Sequence, residues 1–204
     1  MNSTRSPTHD EAIAATGKWL ERAVIGLNLC PFAKSVHVKK QVKYVVSNAT
    51  DSDTLLADLE TELIYLAAVS PEEIDTTLLI HPYVLTEFDD FTDFLDLVDV
   101  VVRTQGLAGK LQVASFHPDY CFSDAEQDDI GNHTNRSPYP TLHLIREASL
   151  DRAVAAFPDA ADIYERNIET LERIGIEGWR ALDVDAPKKS ADQCPAAHKE
   201  SQQK

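Results

Sequence analysis

The sequence has few cysteines and no long apolar run. Its three cysteines, Cys30, Cys121 and Cys194, form no CxxC pair and no zinc-ribbon spacing, which argues against a disulfide framework. No apolar stretch approaches the roughly 20 residues that span a bilayer. The first residues, MNSTRSPTHDEA, lack the apolar segment of a secretory signal. We therefore expect a cytoplasmic protein without a membrane partner.

Basic residues are also scarce. The chain has 19 Lys and Arg against 34 Asp and Glu, for a net charge of -15 at pH 7. An acidic protein of this kind repels phosphate backbones, so we expect no nucleic-acid partner. A positive site would have to be built from individual Arg or Lys side chains.

The length and the hydrophobic content indicate one domain. A chain of 204 residues with 43% hydrophobic residues can bury a sizeable core. We place a flexible N-terminal tail at 1–9, a single α/β domain at 10–183 and a disordered tail at 184–204. The last segment is polar and lacks aromatic residues, so it cannot bury enough apolar surface to order itself.

Hydrophobic periodicity predicts helices alternating with strands. The predicted helices are 10–29, 51–68, 88–103, 149–156 and 158–174, and the predicted strands are 42–47, 76–80, 111–116 and 141–145. This order favours a small layered α/β fold with three parallel strands, crossover helices and C-terminal helices. The fourth strand follows a loop of about 24 residues without a crossover helix. We expect it to be antiparallel and to lie beside the third strand.

The stretch FHPDYCFSDAEQDDIGNHTNRSPYPTLHLIRE, residues 116–147, concentrates hydrogen-bonding side chains. It contains three His, two Arg and three Pro. Long loops in compact domains are usually functional or disordered, and the prolines of NRSPYP argue against disorder. The stretch therefore predicts a functional site.

Histidines mark the predicted location of that site. His81 and His117 directly follow parallel strands, at the carboxyl edge where open α/β sheets bind ligands. His143 is the third residue of the fourth strand, so an antiparallel strand would start at the same edge. We expect the three side chains to converge. The competing interpretation is that each His-Pro pair only ends a strand.

The first hypothesis is a small-molecule enzyme that uses acid/base chemistry. His117 and His143 are the catalytic candidates, with Asp119 or Glu147 orienting the ring. The predicted substrate is an anionic metabolite, because an Arg fork matches carboxylate and phosphate groups. The predicted substrate-binding residues are His81, Asn135, Arg136 and Tyr139. Alternation along the fourth strand places His143 and Glu147 on one face and Arg146 on the other.

Two alternatives remain open. In one, His81, His117 and His143 bind a divalent transition metal that activates water for hydrolysis. In the other, the loop recognises an anion or another ligand without turnover.

Cys30 and Cys121 are weaker candidates. Cys30 ends a predicted helix, where the dipole disfavours a thiolate, so a small buried hydrophobic role is expected. Cys121 lies in an acidic loop without an activating cation.

Several segments resemble a family of bacterial proteins. The stretches VIGLNLCPFAK, LQVASFHPDY and NHTNRSPYPTLHLIREAS are similar to the domain of unknown function 1415, over about residues 12–183. The resemblance implies no activity, cofactor or catalytic residue. Members of that family commonly have Gln in the position of Cys121, which weakens Cys121 further.

Overall fold

Helices and strands alternate along most of the chain in the computed structural model, which describes residues 6–155 and 162–186. The α-helices are α1 (His9–Trp19), α2 (Ala33–Val38), α3 (Ser52–Ala68), α4 (Phe88–Thr104), α5 (Glu147–Ala155) and α6 (Ile163–Leu182). The strands are β1 (Val42–Val46), β2 (Thr76–Ile80), β3 (Leu111–Phe116) and β4 (Thr141–Arg146). The four strands match the predicted ones to within a residue at each end.

The helices depart from the prediction in four places. A π-helix, Leu20–Ile25, continues α1 where one long α-helix was expected. The short helix α2 and a 3-10 helix, Ile130–Thr134, in the long loop were not predicted. The predicted helix 158–174 begins outside the described residues, and its counterpart α6 continues to Leu182 with a kink at Gly175.

The four strands form one mixed sheet in the order β1-β2-β4-β3. β1 and β2 are parallel, and β4 is antiparallel to both β2 and β3. The α/β class and the antiparallel fourth strand beside the third are therefore confirmed. In addition, β4 lies between β2 and β3, so β3 is not a neighbour of β1 or β2, the two strands that run in the same direction as β3.

One face of the sheet is covered by α3 and α4. Leucines at three- and four-residue steps give α3 a continuous apolar side, and all four are fully buried: Leu55, Leu59, Leu63 and Leu66. They pack with Phe91 of α4 against Leu79, Leu142 and Leu144 of the sheet. Asp51 caps α3 by accepting a hydrogen bond from the Thr54 backbone at 2.8 Å, as acidic N-caps commonly do.

The other face of the sheet carries a smaller core. Trp19 of α1 and Leu20 of the π-helix pack with Trp179 of α6, and Phe116 of β3 joins this cluster. Trp19 and Phe116 meet edge to face, with ring centroids 5.1 Å apart. The sheet therefore separates two cores, and a side chain on a strand faces one core or the other.

The two predicted tails lie largely outside the described residues. Thr8 and His9, within the predicted segment 1–9, cap and begin α1. Val184, within the predicted segment 184–204, is buried in the smaller core. None of the helices in the described ranges is long and apolar enough to cross a membrane.

Candidate functional site

His81 and His117 lie together at the carboxyl edge of the sheet, as predicted. Both rings are fully buried and flank Phe91 of α4, with centroid distances of 5.6 and 5.1 Å. The strand ends direct the two side chains towards the α3–α4 core. This edge brings two of the three predicted histidines together.

Both ring nitrogens of His117 are occupied by the backbone. Nδ1 accepts a hydrogen bond from the Asp119 N–H at 3.1 Å, and Nε2 lies 3.3 Å from the Leu85 carbonyl oxygen. A carbonyl only accepts, so Nε2 carries the proton and the ring is neutral. Burial lowers the pKa of His117. The ring holds the loop start against α4 and presents no nitrogen to a substrate.

His81 is equally enclosed. Its Nδ1 donates to the Val84 carbonyl at 3.1 Å, whereas Nε2 is buried without a partner among the described residues. Burial lowers the pKa of His81 to about 4. His81 therefore stays neutral near pH 7.

His143 does not join this pair, so the predicted convergence of three histidines is wrong. His143 is the third residue of β4 and pairs with Leu78 and Ala114 in the middle of the sheet. Two residues of extended chain carry it roughly 7 Å inward from the edge. Alternation then places its side chain on the face of the smaller core, opposite Leu142 and Leu144.

The predicted metal site loses its third ligand for the same reason. Within residues 6–155 and 162–186, no group of three or more His, Cys, Asp or Glu side chains could hold a metal ion. His81 and His117 also each use one or both nitrogens on backbone groups.

Arg136 and Asn135 hold the long loop in shape. Arg136 donates from Nε to the Tyr120 carbonyl at 3.0 Å and from Nη2 to the Gln127 carbonyl at 2.7 Å. The Asn135 carbonyl accepts a hydrogen bond from the His117 N–H at 3.2 Å. These contacts tie the loop to itself and to the end of β3.

Asn132 is the buried centre of that loop. Its side chain is fully enclosed, accepts from the Phe122 N–H at 3.0 Å and donates to the Glu126 carbonyl at 2.8 Å. This role was not predicted from the sequence. An Asn side chain can donate to a backbone carbonyl and accept from a backbone N–H at the same time, which suits it to the centre of a loop.

The other predicted site residues are dispersed. Tyr139 lies near Glu11 of α1, and burial is the main reason why its pKa is raised. Glu147 begins α5, and its N–H donates to the Lys110 carbonyl at 3.0 Å. Asp119 reaches His117 through its backbone N–H, not through a direct carboxylate contact.

A pocket of about 270 Å³ opens on the sheet face where His143 lies. Its floor is formed by alternate residues of the four strands: Val42, Thr76, Leu78, Ala114, Phe116, His143 and Ile145. Its walls come from α1, the π-helix, α2 and α5. We name this cavity the sheet-face pocket. A cavity of about 150 Å³ accommodates benzene, so this pocket has room for a bicyclic molecule.

The π-helix shapes one wall of the sheet-face pocket. Leu20 and Val24 line the cavity and belong to the π-helical segment. π-Helical turns occur frequently at functional sites. Gly26 follows the segment, where an added Cβ would lie 2.2 Å from the Arg22 carbonyl oxygen.

Thr76 fixes the tautomer of His143. The Thr76 hydroxyl donates to the Leu144 carbonyl at 2.6 Å and lies 2.7 Å from Nε2 of His143. Because its hydrogen is committed to a carbonyl, the hydroxyl can only accept from Nε2–H. Nδ1 is then the acceptor nitrogen. It forms no hydrogen bond to the described residues, and it is not among their fully buried unpartnered atoms.

Burial keeps His143 neutral, since it lowers the pKa of the ring to about 4. Nδ1 therefore offers a lone pair to a ligand in the sheet-face pocket near pH 7. Cys30 also lines this pocket, and burial raises the pKa of its thiol. It is a protonated wall residue, in line with the expected small hydrophobic role.

Two of the other cavities have charged residues from the ends of helices or from the long loop in their linings. One of about 570 Å³ lies between α1 and the end of α6, where Lys18 pairs with Asp183. Another of about 370 Å³ is lined by Arg136, Arg180 and Asp185. Both have cations and carboxylates in the same lining. Neither encloses an apolar surface like that of the sheet-face pocket.

Sequence reasoning missed Thr76 and Ala114 as pocket residues. The alternation of side chains along a strand could have indicated them. Once the register is known, Thr76, Ala114 and His143 fall on the same face of the sheet. The register itself has no signal in a single sequence. A small Ala among larger strand residues was the available sign of a gap above the sheet.

The comparisons with known proteins identify a family and nothing narrower. A family model described as a protein of unknown function (DUF1415) matches residues 11–181. The resemblance noted in the sequence is thereby confirmed. No curated protein and no solved structure matches the chain.

Proposed function

Because the chain belongs to the DUF1415 family, which brings no activity with it, we propose a function from the geometry: it binds a small, mostly apolar organic molecule in the sheet-face pocket. His143 accepts a hydrogen bond from that molecule. The observation that carries this proposal is the available Nδ1 of His143 inside an apolar cavity of about 270 Å³. Ligand pockets are typically apolar with a few placed polar groups.

The chemistry of the pocket supports binding in a defined orientation. Trp19 in the wall and Phe116 in the floor provide aromatic surfaces, and the ring of His143 provides one acceptor nitrogen with a fixed tautomer. Apolar contact supplies affinity at about 25 cal/mol per Å² removed from water. The hydrogen bond orients the ligand, since a mismatched group would leave a polar atom unpaired.

The expected anionic metabolite finds less support at this site. Arg136 suggested it, but the guanidinium groups of Arg136 and of Arg146 each donate to two backbone carbonyls. Arg146 reaches Val69 at 2.6 Å and Ile74 at 3.2 Å, so it braces the turn before β2.

Acid/base catalysis is the second candidate function, and His143 is the residue that favours it. The ring is oriented by Thr76 as a catalytic base would be, and its Nδ1 is available to a substrate. The low pKa, about 4, makes it a weak base at neutral pH. We therefore rank binding first. Turnover of a bound molecule, lost in His143→Asn with binding retained, would reverse that order.

Blocking the sheet-face pocket tests the proposed function. A panel of bicyclic aromatic molecules is titrated against wild type, Ala114→Leu and Ala57→Leu by isothermal calorimetry. Ala114 lies on the pocket floor, whereas Ala57 is exposed on α3 beyond the opposite face of the sheet. We expect binding by wild type and Ala57→Leu, and at least tenfold weaker binding by Ala114→Leu. Equal binding by both variants, or no binding by wild type, would refute the proposal.

A further inference from the structure

We infer that the sheet-face pocket selects its ligand by the charge of the ligand and by whether the ligand donates a hydrogen bond. It takes a neutral or cationic apolar molecule that carries a hydrogen-bond donor, and it discriminates against carboxylates. This inference rests on the proposed function and names the class of ligand for the same pocket.

The hydroxyl donors in the pocket lining are already committed to protein acceptors. Thr76 donates to Leu144, Ser35 donates to Phe32 and Ser149 donates to Asp75, at 2.6, 3.1 and 2.5 Å. Each hydroxyl hydrogen is therefore unavailable to a ligand. A ligand oxygen entering the pocket meets hydroxyl groups that can only accept.

The strongest polar atoms left for a ligand are acceptors. Nδ1 of His143 is one. Asp75 supplies the other: one carboxylate oxygen accepts from Ser149, and its second oxygen forms no hydrogen bond within the described residues. Among the described lining residues, the remaining side-chain donors are the indole N–H of Trp19 and the weak S–H donor of Cys30. Both are uncharged.

The charge of the lining points in the same direction. Among the described residues that line the sheet-face pocket, Asp75 carries the only formal charge at neutral pH, and Lys and Arg are absent. An anion would lose its hydration without a cation to replace it, which is costly in an apolar cavity. Lys39, Arg152 and Glu72 line an adjoining polar cavity, which shares Ser35, Asp75 and Ser149 with the sheet-face pocket.

Four naphthalene derivatives of matched shape test this inference: 2-naphthylmethylamine, 2-naphthalenemethanol, 2-methylnaphthalene and 2-naphthoate. Dissociation constants are measured for wild type at pH 7. The alcohol should bind about two- to tenfold more tightly than the methyl compound, the range that one net hydrogen bond gives. The amine should bind at least as tightly as the alcohol. The carboxylate should bind at least tenfold more weakly than the alcohol.

Asp75→Asn supplies the matched change of charge. An Asn side chain can still accept from Ser149, so the local contact is retained. The amine should lose at least fivefold in affinity, and the carboxylate should gain. Glu72→Gln removes the same charge from the neighbouring cavity and should change neither constant more than about twofold.

The outcomes separate the two proposals. If none of the four compounds binds, the proposed function fails, and this inference fails with it. If they bind and lose affinity in Ala114→Leu, but the carboxylate equals or exceeds the alcohol, the charge selectivity alone is wrong. Equal effects of Asp75→Asn and Glu72→Gln would also contradict it.

Discussion

The hydroxyl of Thr76 sets the hydrogen-bonding state of His143. It links Nε2 of the ring to the Leu144 carbonyl across two adjacent strands. A hydroxyl can donate one hydrogen bond and accept another at the same time. Because the Leu144 carbonyl can only accept, the hydroxyl donates to it and must therefore accept from the imidazole. The acceptor character of the pocket therefore depends on a residue that need not touch the ligand.

Removal of this hydroxyl should alter both stability and binding. In Thr76→Val, the Nε2–H and the Leu144 carbonyl lose a partner, which should lower the free energy of unfolding by about 1–3 kcal/mol. Ligands with a donor group should also lose affinity, because the tautomer is no longer held. Thr76→Ser keeps the hydroxyl and should stay closer to wild type in both measurements. Denaturant unfolding and calorimetry test this, and equal behaviour of the two variants would contradict this role of the hydroxyl.

His117 shows how a residue can look catalytic in a sequence and be structural in the fold. Its position after a strand was predicted correctly, and it does lie beside His81 at the sheet edge. What the sequence could not show is that backbone groups of Asp119 and Leu85 use both of its nitrogens. Backbone contacts of this kind depend on loop conformation and leave no residue-type signature.

At the scale of elements, the π-helix is the least expected feature of the pocket. Its apolar residues continue the spacing of α1, so a single α-helix over 10–29 was the natural interpretation. The wider turn moves Leu20 and Val24 into the wall of the sheet-face pocket. A change from α to π hydrogen bonding does not alter the hydrophobic pattern enough to be detected in one sequence.

Two glycines on this helical stretch should respond in opposite directions to the same substitution. Gly26→Ala places a Cβ against the Arg22 carbonyl, and the overlap should destabilise the protein by about 1–3 kcal/mol. Gly17 lies in α1 with no atom within 4 Å of an added Cβ. Gly17→Ala should stabilise by up to about 1 kcal/mol, because Ala is the better helix former. Thermal unfolding of both variants is the test, and a neutral Gly26→Ala would contradict the tight backbone approach.

Arg136 and Asn132 hold the long loop in shape through hydrogen bonds to its backbone. In Arg136→Ala, the Tyr120 and Gln127 carbonyls lose their donor. We expect faster backbone hydrogen exchange over residues 118–134 and unchanged ligand affinity at the sheet-face pocket. Hydrogen-exchange mass spectrometry and calorimetry measure the two effects. A large loss of affinity would instead place the loop in the binding site, as the sequence suggested.

Two faces of one sheet explain why the site was only partly predictable. Strand bounds, the α/β class and the antiparallel β4 followed from periodicity and connection length. The sequence could not show that His143 lies apart from His81 and His117. The side chains of His81 and His117 follow strand ends and turn towards α4, whereas His143 lies within β4 and projects from the sheet. Alternation assigned His143 the correct strand face relative to Arg146. It could not tell which core that face meets.

The whole molecule should lose stability on mild acidification. His81 and His143 both have folded pKa values lowered to about 4, against about 6.5 in an unfolded chain. Their stabilising contribution is complete above pH 6.5 and falls as the pH drops towards 4, since only the unfolded state takes up these protons. For His81 the loss can reach about 3 kcal/mol.

Denaturant unfolding between pH 7.5 and 4 tests that linkage. In His143→Gln, the free energy of unfolding should fall less than in wild type as the pH is lowered. A wild-type free energy of unfolding that does not fall across this range would contradict neutral buried histidines.

In the proposed complex, His143 accepts a hydrogen bond from a ligand in the sheet-face pocket. This hydrogen bond can be observed in the ¹⁵N resonances of His143 during titration with 2-naphthalenemethanol at pH 7. We predict a neutral Nε2–H ring before titration and a saturable shift of Nδ1 towards the value of a hydrogen-bonded acceptor. An Nδ1–H tautomer, or an unchanged Nδ1 resonance at saturating ligand, would show that His143 does not accept from the ligand.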